Sequence, residues 1–222
     1  MYQLTAADFA DTGQWRLILN IGLSGLQAEL NNTIHPELPP QPLCNVSWQP
    51  DKEKLRENIE EAIYNNPRLL DDFATTITIF DPLTLFIPTD IAEEKNSAEE
   101  DLYKKVFPSL DEDIMNDRDN DITAVWSLAP GVKSLLLRSF PGARITCNLM
   151  QLVKRLRKSN ARLSLFLNNR GNEIDLILLD ANRLISASTH PVSNQENIDE
   201  MVERLLSAYA VSKERVNIEY LY

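Results

Sequence analysis

Two stretches of this chain carry amide, hydroxyl and glycine residues at the spacing of tight turns. The first is Asn20, Gly22, Ser24 and Gly25 within WRLILNIGLSGLQAEL (residues 15–30). The second is Asn168, Asn169, Arg170 and Gly171 within ARLSLFLNNRGNEIDLILLD (residues 161–180). Apolar residues flank a polar, glycine-containing break in each, so both read as strand, turn, strand. Glycine lets backbone N–H groups approach a ligand closely, and amides and hydroxyls add donors. The two turns could therefore bind an anionic ligand through neutral donors and one cation, Arg170. Asparagine keeps the shape of aspartate without the negative charge that holds a divalent cation.

Three further groups could do chemistry. Asp117, Asp119 and Asp121 alternate as in a calcium-binding EF-hand loop, but the sixth position is Ile122 where glycine is needed and the twelfth is Leu128 where a bidentate glutamate is needed. The acidic run 111–121 is read as a solvated loop. His35 and His190 each precede a proline in loop-like surroundings, and no GxSxG or HExxH pattern gives either a catalytic partner. Lys154, Arg155, Arg157, Lys158 and Arg162 gather positive charge around one helix; with Leu152, Val153 and Leu156 turned inward, this reads as the helix's solvated face.

Composition narrows the classes. The 222 residues are 43% hydrophobic and 25% charged, which suits a globular protein. A net charge of −11 argues against general nucleic-acid binding, since phosphate contacts need a basic face. No apolar run reaches the roughly 18 residues of a membrane-spanning helix, so no membrane insertion is expected. The start, MYQLTAADFADTGQW, has neither the basic residues nor the apolar core of a secretory signal. A cytoplasmic location is expected. Cys44 and Cys147 lie in strand-like apolar contexts without CxxC spacing and read as buried free thiols.

The elements that must position the two turns follow from periodicity. After the first hairpin, a proline-rich loop leads to a third strand at 43–48. A helix opens at Pro50 and Asp51, puts Leu55, Ile59, Ala62 and Ile63 on one face, and stops at Asn65, Asn66 and Pro67. TTITIF (75–80) and LTLFIP (83–88) read as strands. Residues 90–121 read as a surface insertion with a charged helical piece at 98–107. Strand ITAVWSLA, a helix over 131–140, strand ARITCNL and helix MQLVKRLRK follow. The second half gives the second hairpin, a strand at 183–188, a helix from 194 to about 210, and strand VNIEYLY. In that last helix Ser193 and Glu196 form a capping box, and Ile198, Met201, Val202, Leu205, Leu206 and Tyr209 form one apolar stripe. Strands followed by single helices, in two halves that each open with a meander, indicate an α/β fold with mixed sheets.

In order along the chain, WRLILNIGLSGLQAEL, TITIFDPLTLFIPTD, SFPGARITCNLMQLV and VNIEYLY resemble an uncharacterised, mostly Bacteroidetes family of unknown function with an actin-like ATPase (ribonuclease-H-like) fold. The chain is also similar to the actin-like scaffolds of pilus and secretion machines. The resemblance implies two related halves, 1–159 with an insertion at about 90–121 and a reduced second half, 160–222, whose turns face an interdomain cleft. In active members of the wider superfamily each turn carries an aspartate that organises Mg²⁺ against the phosphates. Those aspartates match Asn20 and Asn168 here, and the glycine pair of the adenosine-binding loop has no counterpart. ATP hydrolysis is accordingly not expected, and neither a cofactor, a metal nor a catalytic residue is assigned. What the resemblance then implies is a non-catalytic scaffold or protein-interaction module, using the cleft or the insertion, with an unidentified protein partner. The alternative is a ligand- or nucleotide-binding enzyme or switch in that cleft, with ATP and magnesium. A homodimer through an uncovered strand edge such as VNIEYLY is a further expectation.

Overall fold

The computed structural model describes residues 11–89, 98–108, 113–159, 162–192 and 195–221. The strands are β1 (Trp15–Gly22), β2 (Gly25–Asn32), β3 (Gln41–Ser47), β4 (Thr75–Phe80), β5 (Thr84–Pro88), β6 (Asp113–Asp119), β7 (Ile122–Leu128), β8 (Arg144–Cys147), β9 (Leu163–Asn169), β10 (Glu173–Asp180), β11 (Arg183–Pro191) and β12 (Asn217–Leu221). The helices are α1 (Leu55–Asn65), α2 (Ala98–Val106), α3 (Val132–Ser139), α4 (Asn148–Ser159) and α5 (Gln195–Ala208).

The contacts divide the chain into two compact units, Met1–Pro82 with Ser109–Ile114 and Ser127–Cys147, and Leu83–Pro108 with Met115–Trp126 and Asn148–Tyr222. The first holds a five-stranded sheet ordered β3-β2-β1-β4-β8. Its first three strands form an antiparallel meander, and β4 and β8 add in parallel. β1 alternates because one face meets the core: Trp15, Leu17, Leu19 and Ile21 are buried. α1 buries the four residues its spacing placed inward. Its C-terminal end is closed by Asn66, whose Nδ2 donates to the Ala62 carbonyl at 2.8 Å.

The second unit holds a sheet ordered β11-β10-β9-β12, again an antiparallel meander with one parallel strand added beside its first member. The two sheets thus repeat one wiring, as the duplicated hairpin predicts. Leu165, Leu167, Ile174, Leu176 and Leu178 pack with Ile198, Val202 and Leu206 of α5 on one face, while α4 packs against β10 and β11. β10 is therefore buried from Ile174 to Leu179 on both faces. β12 takes an outer position among the described strands, as expected for VNIEYLY.

A third sheet, β5-β7-β6, falls in the second unit save for the ends of β6 and β7. The acidic run, expected as a solvated loop, instead supplies β6 and the turn into β7. α2 anchors to the same unit through Tyr103, which is buried and donates to the Leu83 carbonyl at 3.1 Å. Glu99 of α2 accepts from Asn116 and Arg118 of β6, each at 2.6 Å. The proposed capping box rests on Ser193 and the Glu196 side chain, which lie outside the described residues. Tyr209 is not part of the buried stripe: it stands past the end of α5, 45% exposed.

Candidate functional site

The two turns belong to different compact units, and each has its own chemistry. In the first, Gly22 pairs with Gly25 across a two-residue turn of Leu23 and Ser24. Both carbonyls of that turn are taken by Trp48, whose indole N–H donates to Leu23 at 2.8 Å and whose backbone N–H donates to Ser24 at 3.0 Å. Gly25 has a packing reason to be glycine, because a Cβ there would meet the Val46 carbonyl oxygen at 2.6 Å. Asn20 is half-buried and registers with Gln27, which registers with Asn45. This row of three amides holds no charge.

The equivalent row of the second turn differs. Asn168 registers with Asp175, and Asp175 with Thr189, so the three side chains share one face of β9, β10 and β11. Asp175 is 1% exposed. Its Oδ2 accepts from Asn168 Nδ2 at 2.8 Å, and its Oδ1 accepts from Thr189 Oγ1 at 2.7 Å and from Arg170 Nη2 at 3.1 Å. Arg170 also pairs with Glu173 at 3.1 Å. A buried carboxylate needs this many donors to remain in an apolar strand.

The backbone of this turn is occupied too. The N–H of Arg170 donates to the Glu173 carbonyl at 2.8 Å, and the N–H of Gly171 donates to Asn169 Oδ1 at 2.9 Å. Gly171 has φ of +88°, the left-handed conformation that closes the hairpin and favours glycine. Of the eight residues singled out, the structure thus directs Asn168 and Arg170 inward at Asp175, while Asn169 and Gly171 are exposed and bond to each other. Asp175 and Thr189 were missed from sequence. The available signal was a lone aspartate within the apolar run EIDLILL.

An actin-like fold implies a nucleotide with magnesium, and the donor set of the second turn does not fit that pair. Phosphate binding by such a turn needs free backbone N–H groups, and those of Arg170 and Gly171 are spent within the hairpin. Magnesium needs oxygen ligands, and the one carboxylate of the row already faces a guanidinium. Among the described residues no group of three or more His, Cys, Asp or Glu could hold a metal.

The other candidates resolve structurally. Lys154 and Arg157 are not on a solvated face; they are 17% and 11% exposed. Lys154 pairs with Asp117 at 2.8 Å, and Arg157 with Asp119 at 3.4 Å and with Asp121. Asp117, Asp119 and Asp121 are thus paired with two cations of the basic helix, which also removes the EF-hand reading, while Arg155, Lys158 and Arg162 are exposed as a solvated face requires. His190 lies within β11 rather than a loop, its Nε2 2.8 Å from Ser188 Oγ. His35 sits in the loop after β2, 3.1 Å from Glu37, whose carboxyl is held below the usual range mainly by a backbone hydrogen bond and further by His35. Neither Cys44 nor Cys147 is in a disulfide; Cys147 is buried and Cys44 half-buried, with burial pushing the Cys44 thiol up.

The second unit also contains a groove of about 920 Å³. One wall is residues 84–89, the whole of β5 with Thr89, and the other is residues 183–188 of β11; Phe107, residues 120–122 and Tyr209 complete it. β5 and β11 are outer strands of their sheets among the described residues. No helix among the described residues is long and apolar enough to cross a membrane.

The profile of a family described as "Protein of unknown function (DUF3822)" matches residues 6–199. A search of curated proteins finds no match. Among solved structures the chain is similar to a Bacteroides thetaiotaomicron protein with actin-like ATPase fold and unknown function, with a TM-score of 0.81 and 14% identity over 96% of this chain and 84% of that one. The fold is therefore the actin-like ATPase fold. Weaker similarity extends to a PilM-PilN type IV pilus biogenesis complex, TM-score 0.42 and 15% identity over 89% of this chain and 66% of that one. It extends also to an Aquifex aeolicus Ppx/GppA phosphatase, TM-score 0.43 and 7% identity over 88% and 64%. The chain spans less than two thirds of the length of each of these two.

Proposed function

The chain belongs to the DUF3822 family, whose function is unknown, and from that premise we infer that it is a non-catalytic protein-interaction module that captures an extended segment of another protein. The observation that carries this reading is the groove between β5 and β11. An outer strand leaves one side of its backbone unpaired, which is the recognition surface for an added strand. Two such strands facing one groove suit a ligand that is itself an extended backbone. Leu83, Val106 and Tyr209 are exposed large apolar residues at or next to the groove-lining segments, which suits a segment with alternating apolar side chains. Phe107 and residues 120–121 bring the expected insertion into the same surface. The inward-facing second turn supports a fold retained for its shape rather than for nucleotide chemistry.

Display of a random-peptide library against the purified protein tests this. Enrichment of alternating apolar sequences is expected, with hydrogen exchange slowed at 84–88 and 183–188 when a selected peptide binds. Exchange that slows elsewhere and leaves these two strands unchanged would overturn the reading.

A further inference from the structure

A carboxylate buried in a strand that is otherwise apolar from Ile174 to Leu179 requires compensating positive charge as well as donors. At Asp175 the donors are Asn168 and Thr189, and the charge is Arg170. Apart from Arg170, this set consists of oxygens or can present them. Thr189 offers Oγ1, Asp175 two carboxylate oxygens, and Asn168 its Oδ1 once the amide turns over, a change that preserves its shape. Carboxylate, amide and hydroxyl oxygens are the ligands that Mg²⁺, Mn²⁺ and Ca²⁺ take. The sheet register holds the three residues in one row. The corresponding row of the first turn, Asn20, Gln27 and Asn45, has neither carboxylate nor cation. Charge and counter-charge therefore occur together in one copy and are absent together from the other.

We propose that Asn168, Asp175 and Thr189 form a divalent-cation site whose cation is built into the chain, the guanidinium of Arg170. Arg170 closes the second turn permanently, where a metal would close it conditionally. The inference rests on that part of the proposed function which gives this turn no nucleotide, and is independent of the groove.

Arg170→Met removes the charge and keeps most of the stem. In EDTA it is expected to melt lower by on the order of 10 °C, as for an uncompensated buried charge in a chain of this size. Millimolar Mn²⁺ or Ca²⁺, but not Na⁺ at equal ionic strength, recovers at least half of that loss, and manganese resonance titration finds one bound ion per chain. Adding Asp175→Asn abolishes the binding. Wild type neither binds Mn²⁺ nor gains stability from it. Should Arg170→Met fail to fold in EDTA, refolding from urea with Mn²⁺ replaces the melt, and recovery of folded protein is expected. A variant that responds to Mn²⁺ no more than to Na⁺, or a wild type that binds Mn²⁺ as well as the variant does, overturns the proposal. Binding of ATP to wild type in EDTA would instead overturn the nucleotide-free reading and leave the manganese comparison intact.

Discussion

Arg170 donates to Asp175 at 3.1 Å, and the carboxylate that receives it is 1% exposed. The pair joins the turn of the second hairpin to the middle of its sheet. Two residues that sequence spacing offers as ligand contacts, Asn168 and Arg170, are thereby held as structural supports of a third.

Asp175→Asn keeps the side chain's shape and removes its charge, leaving a guanidinium 21% exposed beside a neutral amide. The expected loss is about 2–4 kcal/mol, below the usual figure for a broken buried pair because Arg170 keeps some water. Urea unfolding measures it, and a midpoint equal to wild type would contradict the network's role.

Much of the architecture was legible from the chain. The alternation of β1 and the spacing of Leu55, Ile59, Ala62 and Ile63 reflect burial on one face, a local property that periodicity records. β6 was not legible, because DIMNDRD alternates only weakly and its charges find distant partners: Asp117 and Asp119 pair with α4, 37 and 38 residues away, and Arg118 with Glu99 of α2. The same limit applied to the site. Asn168 and Arg170 were found as residue types suited to a turn, but their direction depends on Asp175 and Thr189, whose alignment is set by register across three strands.

Gly25→Ala tests whether the first turn's glycine serves packing rather than a ligand. A methyl 2.6 Å from the Val46 carbonyl forces β2 and β3 apart. A loss of about 1–3 kcal/mol is expected from this overpacking. Thermal unfolding checks it, and unchanged stability would return Gly25 to the list of ligand contacts.

Arg157→Ala removes the cation shared by Asp119 and Asp121. With the guanidinium 11% exposed, the expected loss is about 1–3 kcal/mol, larger than for a surface pair. It should persist at high salt, since shielded pairs are screened little. Urea unfolding at low and high salt separates this from a solvated face, for which the loss would be near zero.

Burial raises the Cys44 thiol above its ordinary 9.0, so the folded state holds that proton more tightly than the unfolded chain does. The resulting stability is present below pH 9.0 and is lost as pH rises through the folded value. Alkylation at pH 8 should be several-fold slower at Cys44 than at a free thiol, and Cys147, fully buried, should react only on unfolding. Mass spectrometry of the two cysteine peptides over time measures both. Equal, rapid labelling of the two would contradict the burial described.

The chain has the actin-like fold, and we infer that it does not use it to bind nucleotide. Calorimetric titration of the purified protein with ATP, ADP and GTP, with and without Mg²⁺, tests it most directly. No heat of binding and no thermal stabilisation are expected at millimolar nucleotide. Magnesium-dependent binding at micromolar nucleotide would contradict it and make the protein a nucleotide-controlled switch.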